Sequence, residues 1–212
     1  MKRELRALLE AYDLAGIAER AGQASRVLGA LVPLTFDRDP LIAWRAVEAT
    51  GVAAERLRER APDAVREHLR RLNWLITEES GGICWRAPEA MAEIVARLPE
   101  ACAEFVPIVV HLLVETAEED LRHFRVGMLW AIGRLGPVAA PHVTDVVPAM
   151  AACLTHSDPQ VRGTAVWALS RVGHADVVAA RVGLRDDVGV LQVYEGGEVI
   201  QTTVGVMAQS AV

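Results

Sequence analysis

Cysteine is scarce in this chain of 212 residues, and the three present, Cys84, Cys102 and Cys153, are odd in number with gaps of 18 and 51 residues. That spacing fits neither a disulfide framework nor a zinc site, so reduced, buried thiols are expected. Aromatic residues make up only 5% of a chain that is 52% hydrophobic, which leaves Ala, Leu and Val to form the core, the material of helix packed on helix. A disordered chain would be far more polar. No run of about 18 uncharged apolar residues occurs, so a membrane-spanning helix is not expected. The start, Met1-Lys-Arg-Glu-Leu-Arg-Ala-Leu-Leu-Glu10, sets charges among its apolar residues and continues as an amphipathic helix instead of a secretory leader. A cytoplasmic protein is expected. Positive charge is also short: the net charge is -6 with basic residues dispersed among acids, which argues against nucleic acid as a partner. The six histidines show no i, i+4 pair and no useful cysteine spacing, so neither a metal nor any other cofactor is expected. Gly127, Gly133 and Gly136 are not followed by Gly-Lys-Ser/Thr and read as helix-packing positions, not as a phosphate loop.

What the chain does have is repetition. Phe124-Arg-Val-Gly-Met-Leu-Trp-Ala-Ile-Gly-Arg-Leu-Gly136 returns at Val161-Arg-Gly-Thr-Ala-Val-Trp-Ala-Leu-Ser-Arg-Val-Gly173, with Arg, Trp, Ala, Arg and Gly in the same places. Trp44-Arg-Ala-Val-Glu-Ala49 matches Trp85-Arg-Ala-Pro-Glu-Ala90 in the same manner. Taking Arg45, Arg86, Arg125 and Arg162 as equivalent gives steps of 41, 39 and 37 residues by subtraction, a period that marks stacked repeats. Aligning Asp39-Pro40 with Asp158-Pro159 instead shifts the register by two residues.

In chain order, Leu5, Leu8, Leu9 and Tyr12 share one helix face, and residues 1–22 read as capping helices that cover the open end of an array. A helix follows from Gln23 to Phe36, then Pro40 to about Thr50, a charged spacer over Val52–Arg60 that reads as a short helix, and a helix from Asp63 to about Thr77 with Val65, Leu69, Leu72 and Ile76 inward. Asp39 and Asp158 are placed to cap the helices that Pro40 and Pro159 open. Pro33, Pro107 and Pro148 fall within the first helix of their pairs, where proline bends the rod. Beyond Arg185, Val188–Tyr194 and Glu198–Thr203 flank Glu195-Gly-Gly197 as a hairpin. A short helix from Thr203 to Ser210, with Val204 and Met207 inward, completes a C-terminal cap over residues 174–212.

Paired helices of about 40 residues, a proline in the first and an acidic turn before an arginine in the second, resemble the HEAT repeat. Asp39 and Glu119 stand six residues before Arg45 and Arg125 as in that family's acid-and-arginine ladder, whereas Ser80 and His156 take those places before Arg86 and Arg162. Residues 23–173 carry the resemblance, as four helix pairs, and are most similar to bacterial HEAT-like proteins that include the phycobilin lyase type. The resemblance implies an all-α, right-handed α-α superhelix (HEAT/ARM-like solenoid), here with a small C-terminal β-hairpin.

It implies in turn a non-enzymatic scaffold or adaptor that presents a concave face to another protein. A phycobilin-lyase-like handler of a chromophore or ligand is the alternative, and a HEAT-like DNA glycosylase is disfavoured by the negative charge. The candidate partner-binding residues are Trp44, Arg45, Glu48, Trp85, Arg86, Glu89, Phe124, Arg125 and Arg162, since Trp beside Arg is the composition of an interface hot spot. The same arginines also suit bonds that tie neighbouring repeats together, and this structural reading is the weightier. Trp130 and Trp167, among Ala and Leu, are assigned to the core. The loop Glu78-Glu-Ser-Gly-Gly82, running on to Cys84-Trp-Arg86, holds carboxylates, a hydroxyl and a thiol, but without a nearby histidine it reads as a helix start, with no catalytic residue assigned.

Overall fold

The computed structural model describes residues 1–77, 86–116 and 122–211 of the chain. The chain forms two compact units, Met1–Ala103 with Gly196–Glu198, and Glu104–Glu195 with Val199–Val212. In the first unit the helices are α1 (Lys2–Glu10), α2 (Leu14–Gln23), α3 (Val27–Leu31), α4 (Pro40–Leu57), α5 (Pro62–Thr77) and α6 (Ala87–Arg97). Here α4 packs against both α2 and α6, while α3 packs on α4 and α5 on α6. Leu5, Leu9, Ile17, Leu28, Leu69 and Met91 are among its fully buried side chains.

The second unit holds α7 (Val106–Glu115), α8 (Arg122–Leu135), α9 (Val147–Cys153), α10 (Pro159–Arg171), α11 (Ala175–Ala179), β1 (Val190–Glu195), β2 (Glu198–Thr203) and α12 (Val204–Ser210). Its centre is α10, which packs on α8, α9, α11, α12 and β1. The fold class is as expected: an all-α arrangement of packed helices with a small two-stranded C-terminal sheet. Among the described residues no helix is long and apolar enough to cross a membrane.

The caps were legible in the sequence. Asp39 and Asp158 each take an extended conformation and accept the amide two residues on, at 2.9 Å from Leu41 and 2.7 Å from Gln160, with proline at the first helical position. Gly196 and Gly197 have φ of 58° and 84°, the left-handed pair that a two-residue type I′ turn requires. Val204 is buried, but Met207 is only half-buried and Ala208 takes the inward place.

Several expectations need correction. Pro33, Pro107 and Pro148 do not bend helix interiors: each stands in the first turn of its element, where a missing N–H costs nothing. The segment from Gln23 to Phe36 is not one helix but α3 followed by a 3-10 turn over Val32–Leu34. The expected spacer after Thr50 is the continuation of α4, whose small residues Gly51, Ala53 and Ala54 are buried against neighbours. Trp130 and Trp167 are half-buried instead of core, their rings stacked at 6.1 Å between centroids with 22° between planes.

That stack marks a close approach of α8 and α10. A Cβ built on Gly133 would lie 2.3 Å from Cζ3 of Trp167 and 3.0 Å from the Cα of Ala168. Gly133→Ala is therefore expected to destabilise by about 2 kcal/mol despite alanine's better helix propensity. Gly29→Ala in α3, where nothing lies within 4 Å, is expected to be neutral or slightly stabilising in the same thermal melt. Equal melts for the two variants would refute this account of the helix approach.

Candidate functional site

Three candidate residues converge at the contact of α4 and α6. Arg86 occupies the N-cap position of α6 with φ -115° and ψ 20°, and Pro88 falls in the first turn, where its missing N–H has no intrahelical partner to lose. From there its guanidinium lies 4.1 Å from the centroid of the Trp44 ring and 3.2 Å from Oε1 of Glu89, one turn into the same helix. Trp44 and Arg86 are both half-buried. The geometry is a cation–π stack held in place by an ion pair.

Glu89 is 2% exposed, and its Oε2 has no hydrogen-bond partner. Burial pushes its carboxyl up to about 7, with the Arg86 charge opposing in part. The site therefore couples an accessible stack of arginine on tryptophan to a buried acid whose charge changes near neutrality. A second buried titratable group, His68 on α5, is held down at about 4 by burial and then by the Arg71 charge, so it stays neutral.

The other candidates are placed differently. Arg45 is 6% exposed and its donors are occupied. Nε donates to the Gly197 carbonyl at 2.9 Å, Nη1 to the carbonyls of Leu9 and Glu10 at 2.9 and 3.0 Å, and Nη2 pairs with Glu198 at 3.1 Å. Phe124 is 0% exposed. These burials, like that of Glu89, take Arg45, Glu89 and Phe124 off the accessible surface, a correction to their assignment as partner contacts. Arg162 pairs through Nε and Nη2 with the Asp187 carboxylate at 2.7 and 3.0 Å, which holds that acid below its usual range, and its Nη1 donates to the carbonyls of His156 and Ser157. Glu48 is half-buried and accepts from the Tyr12 hydroxyl, and Arg125 is half-buried on α8. Trp85, Glu78, Glu79, Ser80, Cys84 and Glu119 lie outside the described residues.

The matched hexapeptides are thus not structurally equivalent. Arg45 is the sixth residue of α4, Arg162 the fourth of α10, and Arg86 precedes α6 altogether. Asp39 and Asp158 cap their helices, and the acids that pair with Arg45 and Arg162 are Glu198 and Asp187 instead.

Tyr12, expected on the apolar face of the first helix, lies beyond its end instead. It follows α1 with φ of 53° in a Schellman closure, where Asp13 N–H bonds the Leu8 carbonyl at 2.8 Å and Tyr12 N–H that of Leu9 at 3.1 Å. Glycine is usual there, and a tyrosine costs about 1 kcal/mol. The position is held by its surroundings: Arg45 lies 5.0 Å over the ring, and a Cβ on Gly197 would come within 2.3 Å of it. Trp74, 55% exposed on α5, was passed over, although it falls off the inward face of Val65, Leu69, Leu72 and Ile76.

In the second unit a cleft of about 700 Å³ is lined by Arg122, Ser157, Asp158, Gln160, Gln192 and Gln201 among others. Its polar groups largely satisfy one another: Asp158 pairs with Arg122 and caps α10, and the Gln160 amide bonds both main-chain groups of Gln192. Among the described residues no group of three His, Cys, Asp or Glu side chains comes together as a metal site would.

No curated protein matches the chain. Among solved structures, the chain is similar to an engineered protein from the Northeast Structural Genomics Consortium, at 19% identity and a TM-score of 0.50, covering 99% of this chain and 94% of that one. A designed armadillo repeat protein in complex with the peptide (KR)4 is 17% identical with a TM-score of 0.49, covering 98% and 96%. Another designed armadillo repeat protein is 16% identical with a TM-score of 0.46, covering 100% and 93%. Residues 122–172, which hold the first copy of the thirteen-residue stretch and all but the last residue of the second, match the model of the HEAT-like repeat family.

Proposed function

We propose that this chain is a non-enzymatic scaffold or adaptor that binds another protein, with the Trp44–Arg86 stack as an anchor of the binding surface. The observation that carries the reading is the partly exposed guanidinium, its side chain 24% exposed, lying on an indole ring beside an acid that fixes its direction. Tryptophan and arginine are among the residues most enriched where binding energy concentrates: the indole presents a large flat surface with two torsions to immobilise, and the planar guanidinium is here already bonded to Glu89. Helical repeats suit the task because each repeat is held by its neighbours, which leaves surface side chains free to vary. Of the four arginines in the series, Arg45 and Arg162 are committed to internal carbonyls, and Arg86 is the one that lies on an indole ring, which is why it is taken with Trp44 as the anchor.

The test is recovery of a partner with the tagged chain from its native cell, identified by mass spectrometry. Trp44→Ala and Arg86→Ala are each expected to weaken a purified partner's binding by about 30-fold, the factor that corresponds to a 2 kcal/mol hot spot, while the far-UV circular dichroism at the assay temperature stays that of the folded chain. Unchanged affinity with both variants folded would remove these residues from the interface.

A further inference from the structure

The two edges of the C-terminal hairpin are treated differently. In a hairpin closed by Gly196-Gly197, the residues that exchange main-chain bonds are 195 with 198, 193 with 200 and 191 with 202. The main-chain groups of 190, 192 and 194 on β1, and of 199, 201 and 203 on β2, therefore point outward. On β1 the Gln160 side chain closes the edge like a strand: its amide donates to the Gln192 carbonyl at 2.8 Å and accepts the Gln192 N–H at 2.9 Å. On β2, among the described residues, no hydrogen bond from outside the hairpin reaches the main-chain groups of Val199 or Gln201.

This open edge also lacks the usual safeguards. It carries no lysine, proline or bulge, and no charged residue occurs between Glu198 and the end of the described chain. Apolar side chains around it are unusually bare, with Val190 56%, Ile200 44% and Val206 53% exposed. The strand is also self-complementary. Antiparallel to itself about Gln201, it sets Gln201 opposite Gln201 and Val199 opposite Thr203, with no like charges facing across the strand, although the chain as a whole carries -6 and would repel a copy elsewhere.

We propose that the outer edge of β2 pairs with the same edge of a second copy of this chain, antiparallel about a two-fold axis at Gln201, to make a four-stranded sheet. The interface is isologous, and closure at two copies leaves only the β1 edges outermost, where Gln160 already occupies the bonding groups of Gln192.

Sedimentation velocity over a concentration series tests this, with Gln201→Lys as the variant. The substitution is on an exposed strand position and places two ammonium groups face to face at the axis. The wild-type chain is expected to dimerise, and Gln201→Lys to raise the dissociation constant at least about tenfold with unchanged far-UV circular dichroism. In a Cys84→Ser background, Gln201→Cys is expected to oxidise to a covalent dimer, whereas Gln192→Cys on the closed edge stays monomeric. A wild-type monomer up to about 1 mM, well above the range of a specific dimer, would overturn the proposal. So would a dimer that is indifferent to Gln201→Lys, or equal cross-linking at 192 and 201.

Discussion

Arg45→Ala is expected to lower the stability of the first unit by about 3–5 kcal/mol, the largest loss foreseen for a single side chain here. The guanidinium makes two bonds to the end of α1 through the carbonyls of Leu9 and Glu10, and two to the hairpin tip through Gly197 and Glu198. Bonds from a charged donor contribute about 1.5–3 kcal/mol each, less when several depend on one group. Removing the donor strands carbonyls around a side chain that is only 6% exposed. It also takes the cation from over the Tyr12 ring, and Tyr12 then holds its left-handed backbone with less support. Arg45→Lys restores charge but not the planar fork, so partial recovery is expected. Hydrogen exchange of the α1 and α4 amides is the suitable measurement, because it reads the first unit separately from the second. Protection equal to wild type in Arg45→Ala would show that the hairpin tip and α1 are held by packing alone.

The second large effect depends on pH. In the unfolded chain Glu89 releases its proton near 4.5, while in the fold it holds it up to about 7. Between those values the native state binds the additional proton, so this group's contribution to stability falls as pH rises, by roughly 3 kcal/mol once both states are ionised. Glu89→Gln keeps the shape and removes the titration. The variant is therefore expected to match wild type near pH 4.5 and to exceed it by roughly 3 kcal/mol at pH 8. Urea unfolding across that range checks it, and every other titrating group cancels in the difference between the two proteins. A difference that stays flat with pH would mean that Glu89 ionises in the fold as it does in water. The result bears on function, because the same carboxylate directs Arg86 onto Trp44.

The paired helices and their caps were legible for a local reason. Asp39-Pro40, Asp158-Pro159 and Gly196-Gly197 act within two to four residues, so composition and spacing suffice to read them. The thirteen-residue recurrence was equally local, and it coincides with the part of the chain that matches the HEAT-like repeat family. The prolines misled because the valine before each one resembles a helix interior in sequence, while Val106 and Val147 open their helices and Val32 opens the 3-10 turn that follows α3. The pairing of arginines was also misread. Trp44 receives its cation from Arg86 at the start of α6 and not from the adjacent Arg45, and Asp39, six residues before Arg45, is spent on a cap.

By itself, then, the order of residues determined that this chain forms short helices in pairs, where they start, and that a tight glycine turn joins two strands. Which arginine is buried, which lies on an indole, and which carboxyl keeps its proton were decided only when α4 met α6 and the hairpin tip met Arg45. Those outcomes depend on desolvation and on partners more than 30 residues away in the chain, and no local pattern encodes either one.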